Sequence, residues 1–129
     1  MTDLGRSLVA LTEVYIDRNS DVTVWKQIAC LLAGQVAKRN IKPGEFTWGI
    51  RLFARANKIS ITSAAKAYEI LKSKGVVEAE SRSGVRVGKR ALVEGQEIVG
   101  SAVKELLILA KQRKMTKTEL LKQVSENWE

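Results

Sequence analysis

The sequence predicts a mainly helical chain: three helices, then a β-hairpin, then a helical pair. Three observations carry this. Apolar residues recur at helical spacing between Val24 and Lys74. Two β-prone runs, Val76–Glu80 and Val85–Val87, flank the short tip Ser81-Arg82-Ser83-Gly84. After Lys89-Arg90 the composition shifts to one long apolar helix pattern and a second, short one. At 129 residues the chain is long enough for one small domain with an appendage. The expected division is residues 1–90 and residues 91–129.

Residues 1–22 form an arm. Leu8, Val9, Leu11, Val14 and Ile16 suit a strand or a short helix, and Asp17–Asp21 is a polar turn cluster. The first helix is expected from Val24 to Arg39, with Trp25, Ile28, Ala29, Leu32 and Val36 on one stripe. Lys38 and Arg39 fall in its last turn, where cations suit the helix dipole. Pro43, the only proline, and Gly44 end the run. The second helix is expected from Trp48 to Asn57, with Ile50, Phe53 and Ala54 inward. Asn57 tolerates the left-handed conformation that closes a helix. Ser60 is a candidate cap for the third helix, Ile61 to Lys74. That helix has Ala64, Ala67, Tyr68 and Leu71 inside, and Thr62, Ser63, Lys66 and Glu69 outside. Gly75 closes it.

The long helix after the hairpin is expected from Leu92 to Arg113. Val99, Ala102, Val103, Leu106, Leu109 and Ala110 form its stripe, widened by Leu107 and Ile108. Gly95 and Gly100 lower helix propensity, so a late start or a kink is expected there. Thr116 and Glu119 have the spacing of a capping box, opening a last helix with Leu120, Leu121, Val124 and Trp128 apolar. So broad an apolar surface exceeds what two short helices bury alone. Subunit pairing through Val99, Val103, Leu106, Leu107, Ala110, Leu120, Leu121 and Val124 is the expectation. The plainer reading is that the pair covers the core of its own chain.

Charge is segregated. The net charge of +8 divides as −2 over residues 1–23, +10 over residues 24–90 and zero over residues 91–129. A basic middle segment is the electrostatic footprint of a nucleic-acid-binding module. A merely solvated basic surface is the plainer reading. There is one cysteine, Cys30, and no histidine. That excludes an intrachain disulfide and argues against a zinc site or Cys/His catalysis. Cys30 reads as a small core residue. No phosphate-cradling glycine loop and no acid/base carboxylate pair stands out, so no enzyme and no cofactor are expected. No apolar run reaches the roughly 18 residues of a membrane span, and residues 1–22 do not read as a signal peptide. A cytoplasmic location is expected.

The order helix, helix, turn, helix, hairpin is that of a winged helix-turn-helix, whose third helix enters the major groove of DNA. The residues also resemble the GntR family of bacterial regulators. The resemblance runs without a gap over residues 16–88. It rests on Val24-Trp25-Lys26-Gln27-Ile28, Ile41-Lys42-Pro43-Gly44 and Arg51-Leu52-Phe53-Ala54. Ile59-Ser60, Lys66-Ala67-Tyr68-Glu69-Ile70-Leu71, Gly75-Val76-Val77 and Gly84 extend it. The short two-helix tail is similar to that of the YtrA subfamily, where it implies dimerisation.

The resemblance implies DNA contacts at Arg51, Ser60, Thr62, Ser63, Lys66 and Tyr68, and at Arg82, Ser83 and Gly84 on the wing tip. Beside those roles stand plainer ones: a core position for Tyr68, a bare cap for Ser60, a local ion pair for Arg51. The implied partners are double-stranded DNA and a second copy of the chain. Any small-molecule effector would bind between the tail and the DNA domain or at the dimer interface. The expected function is a dimeric repressor on a palindromic operator.

The sequence also departs from the family pattern. Thr47-Trp48-Gly49 replaces Leu-Pro-Ser before the second helix, Asn57-Lys58 replaces Leu-Gly, Ile61 stands where a polar residue is common, and Ala64 replaces a frequent valine. Trp48 fits either a surface aromatic near DNA or a core plug. The altered loop before the second helix motivates one alternative: a winged-helix interaction module that has lost specific DNA binding.

Overall fold

The structure, a computed structural model, describes residues 16–128. The arm's expected strand or short helix falls mostly outside those residues. Helix α1 spans Val24–Ala37 and buries Ile28, Ala29, Leu32 and Ala33. It ends before the expected Arg39, which turns the chain with a φ of 61°. Strand β1 is Phe46–Thr47, α2 is Ile50–Ala56 and α3 is Ile61–Ser73. Strands β2, Val77–Ser81, and β3, Gly84–Val87, form the wing. Helix α4 spans Ala91–Gln112 and α5 spans Lys117–Glu126.

The sheet is antiparallel in the order β1-β3-β2. Phe46 faces Arg86 and Thr47 faces Val85, while Ser81 faces Gly84 across the tip. A register shift between Val77 and Glu80 marks a bulge in β2. β1 was not expected from the sequence. Two residues carry no periodic signal, and their partner lies some forty positions on. The Phe46–Arg86 pairing sets the Arg86 guanidinium 4.9 Å from the Phe46 ring centroid, a cation–π contact made across strands.

The core joins Ile28, Ala29 and Leu32 of α1, Phe53 of α2, Ala67, Tyr68 and Leu71 of α3, and Val77, Val85 and Val87 of the wing. Trp48 is 3% exposed. It meets Phe53 edge-on at 6.2 Å, and Phe53 meets Tyr68 edge-on at 5.7 Å. Such T-shaped pairs suit the ring quadrupoles. Of its two sequence readings, Trp48 is the core plug. Thr47 Oγ1 and Trp48 Nε1 are buried with no hydrogen-bond partner among the described residues. Cys30 is half-buried, and burial raises its thiol above the ordinary range, which lowers its reactivity.

Asn57 does not turn the chain; its φ is −99°. Lys58 does, at a φ of 55°. Asn57 is instead 6% exposed. The Ile16 amide donates to its Oδ1 at 2.9 Å, and its Nδ2 donates to the Phe53 carbonyl at 3.0 Å. Arg18 Nη1 donates to the Lys58 carbonyl at 2.8 Å. The end of the arm is thereby tied to the turn between α2 and α3.

The chain divides into two compact units, Met1–Ile98 and Val99–Glu129. The break falls after Ile98 and not after Arg90, because the first turns of α4 belong to the core. Ala91 is fully buried and Ile98 packs against the cluster. The expected late start at Gly95 does not occur, since α4 runs unbroken from Ala91. A Cβ on Gly95 would lie 2.2 Å from Ala33 Cβ. Gly95 is a contact point for α1, not a weak spot in the helix. Glu94, in the first turn, lies near Lys74 at 4.0 Å and Arg90 at 3.8 Å.

In the second unit, Met115 donates its amide to the Ala110 carbonyl at 2.9 Å, closing α4. The capping box forms: Glu119 N–H donates to Thr116 Oγ1 at 3.1 Å, and Thr116 N–H donates to Glu119 Oε1 at 2.8 Å. Those bonds hold the Glu119 carboxyl below its ordinary pKa. Val99, Val103, Leu106, Leu107, Leu121 and Val124 are exposed. Ala110 is 7% exposed. It is therefore not part of the exposed face, unlike the other residues just named. A groove of about 530 Å³ lined by Leu106, Leu109, Met115, Leu120 and Val124 opens between α4 and α5.

Candidate nucleic-acid interface

Helix α3 buries one stripe and presents another. Ala64, Ala67, Tyr68 and Leu71 face the core. Ile61, Thr62, Ser63, Ala65, Lys66 and Glu69 are exposed. Small residues on the inner stripe let α3 seat deeply, which leaves its outer face standing clear. Ser60 starts the helix: Ser63 N–H donates to Ser60 Oγ at 3.0 Å. Ser60 Oγ in turn donates to Ser63 Oγ at 2.8 Å. The Ser60 hydroxyl is spent on the cap, and Ser63 keeps its own proton to donate outward.

Tyr68 is a correction. The resemblance implied a DNA contact, but the side chain is 4% exposed and meets Phe53 edge-on. Burial, and secondarily the Glu80 charge, push its hydroxyl well above the ordinary tyrosine range. Its place is the core. Gly84 is corrected in the same sense. It is buried, with a φ of 115°, and a Cβ there would lie 2.0 Å from the Thr47 carbonyl oxygen. The glycine lets β3 pass close to β1, and the exposed tip is left to Arg82 and Ser83.

Arg51 is exposed on the first turn of α2. It shares a cleft of about 390 Å³ with Leu52, Arg82 and Ser83. Two guanidinium groups thus flank one opening between the helix start and the wing tip. No acidic partner within ion-pair distance is found for either among the described residues. Arg55, exposed in the last turn of α2, adds charge to the same helix and was missed by the sequence reading. Its helical position, four residues after Arg51, was signal enough to find it.

Glu80 was also missed. Gly49, the N-cap of α2, provides no side-chain cap. The Ile50 amide instead donates to Glu80 Oε2 at 2.9 Å, a carboxylate thirty positions away on β2. The space is there because residue 49 is glycine; a Cβ would lie 3.1 Å from that oxygen. The wing therefore supplies the helix start that Thr47-Trp48-Gly49 lacks. Glu80→Ala should lower stability by ~1 kcal/mol, the worth of an N-cap. A thermal melt should then shift down by about 4–8 °C. Glu80→Gln keeps an acceptor and should retain most of that stability.

Fold and candidate interface together define a class: a winged-helix domain with an exposed groove-sized helix, a wing tipped by Arg82 and a short helical tail. Solved structures of this class resemble the chain over most of its length. A GntR-family transcriptional regulator from Listeria monocytogenes superposes with a TM-score of 0.60 at 16% identity, covering 86% of this chain and 98% of that one. A transcriptional antiterminator from Listeria monocytogenes EGD-e gives 0.55 at 21%, covering 88% of each. YtrA from Sulfolobus acidocaldarius, a GntR-family transcription factor, gives 0.50 at 23%, covering 88% of this chain and 94% of that one. No protein-family model and no curated protein matches. The chain has the winged-helix fold that these regulators share. No helix among the described residues is long and apolar enough to cross a membrane.

Proposed function

We propose that the chain is a sequence-specific DNA-binding transcriptional regulator of the GntR type, with the short tail of the YtrA-like subfamily. The observation that carries the reading is the α3 face: exposed hydroxyl, methyl and ammonium groups beside a cleft bearing Arg51 and Arg82. In this reading α3 lies in the major groove, while Arg51 and the wing tip hold phosphates. Residues 24–90 bear the whole positive excess, and it steers the domain to DNA. The altered loop at Thr47–Gly49 does not argue against DNA binding, because Glu80 restores the start of α2.

The exposed apolar face of the tail, from Val99 to Val124, supports a homodimer. Two-fold symmetry then implies an inverted-repeat operator, with α3 helices about one helical turn apart. Occupying such a site is itself enough to obstruct a polymerase, so the action proposed is repression, in the cytoplasm.

Lys66→Ala and Arg82→Ala test the assignment. Each should weaken binding to the cognate site about tenfold, as expected for a lost charged hydrogen bond. Each should also lower the slope of log K against log salt by about 0.9. Fluorescence-anisotropy titrations at several salt concentrations measure both. Unchanged affinity and slope in both variants would remove α3 and the wing from the interface.

A further inference from the structure

We propose that Ile61, with Ala65 one turn further on, reads thymine methyl groups, so that each half-site presents thymine where α3 enters the groove. The inference rests on the reading of α3 as the groove helix.

It follows from what the exposed face lacks. Bidentate recognition of adenine takes Asn or Gln, and that of guanine takes Arg or Lys. α3 has no Arg, and no Asn or Gln occurs between Asn57 and Gln96. Asn57 itself is buried, with both ends of its amide engaged. The Ser60 hydroxyl is held in the cap. Lys66 is the one long donor in the first two turns, and the one side chain there suited to a guanine edge. The other exposed side chains of those turns are Ile61, Thr62, Ser63 and Ala65.

Ile61 is 48% exposed at the first residue of α3, the end that meets base edges. A large aliphatic group there has one apolar partner on the base edges of the major groove, the thymine C5 methyl. Covering that methyl removes apolar surface of both groups from water. Adenine is then recognised through the thymine it pairs with.

The test uses the tightest site selected from random double-stranded DNA. Its thymines are replaced one at a time by uracil, which keeps every hydrogen-bonding group and lacks only the methyl. Wild type should lose about fourfold in affinity at one or two positions in each half-site, the factor for one buried methyl-sized group. Ile61→Ala should bind thymine and uracil forms alike at the position Ile61 covers. Because the uracil series is read on the wild-type protein, it stands whatever happens to the variant. Wild-type indifference to uracil at every position overturns the inference while leaving selective DNA binding intact. Selection that enriches no sequence overturns the inference and the DNA-binding reading together.

Discussion

Gly84→Ala should cost the domain more than ~3 kcal/mol. Two penalties combine. The residue sits at a φ of 115°, which a side chain disfavours by about 1–3 kcal/mol. The new Cβ would also fall 2.0 Å from the Thr47 carbonyl oxygen and 3.2 Å from its carbon. Both obstacles are backbone atoms, so no rotamer change relieves them. The strands must separate, and with them goes the Thr47–Val85 pairing that anchors β1. A loss of that size is a large share of a small domain's stability. The melting temperature should fall by roughly 15 °C. A melt unchanged by the substitution would mean that β1 and β3 do not approach as described.

The second large effect concerns assembly. Leu106→Glu should turn the proposed dimer into a monomer. Leu106 is 41% exposed in the chain alone and borders the groove between α4 and α5. A two-fold axis places each substitution in the interface twice. Losing ~1.5–3 kcal/mol per buried side chain raises the dimer dissociation constant by roughly 10² to 10⁴. The buried carboxylate adds to that. Sedimentation should report a single-chain mass at micromolar concentration, with the helical content kept. Operator affinity should fall with it, since each half-site would then be held alone. A wild-type chain that sediments as a monomer at that concentration would contradict the pairing role of the tail.

What the sequence disclosed and what it hid divide by distance along the chain. The α3 stripe, its Ser60 cap and the Thr116–Glu119 box are local patterns, written within a few residues, and all are legible. β1 is not, because its two residues become a strand only through β3. Glu80 reads as a wing residue until the Ile50 amide is seen to donate to it. Asn57 reads as a turn former, and its work for Ile16, forty-one positions back, is invisible. Gly95 reads as a flaw in a helix until Ala33 is found against it. At the interface, the resemblance marked Tyr68 by type and position. A tyrosine one turn inside a helix can face either way, and only packing shows that it faces Phe53. Of the exposed candidates, Thr62, Ser63, Lys66, Arg82 and Ser83 follow from period and turn chemistry, while Arg51 is implied by the resemblance alone.

In the proposed function, two copies of the chain present α3 and the wing to a defined DNA sequence. Selection of bound sites from random double-stranded DNA by the full chain measures this directly. The expected result is an enriched inverted repeat with half-site centres about one helical turn apart. A pool that stays random after repeated rounds at physiological salt would contradict it, leaving only the salt-sensitive attraction of a basic surface.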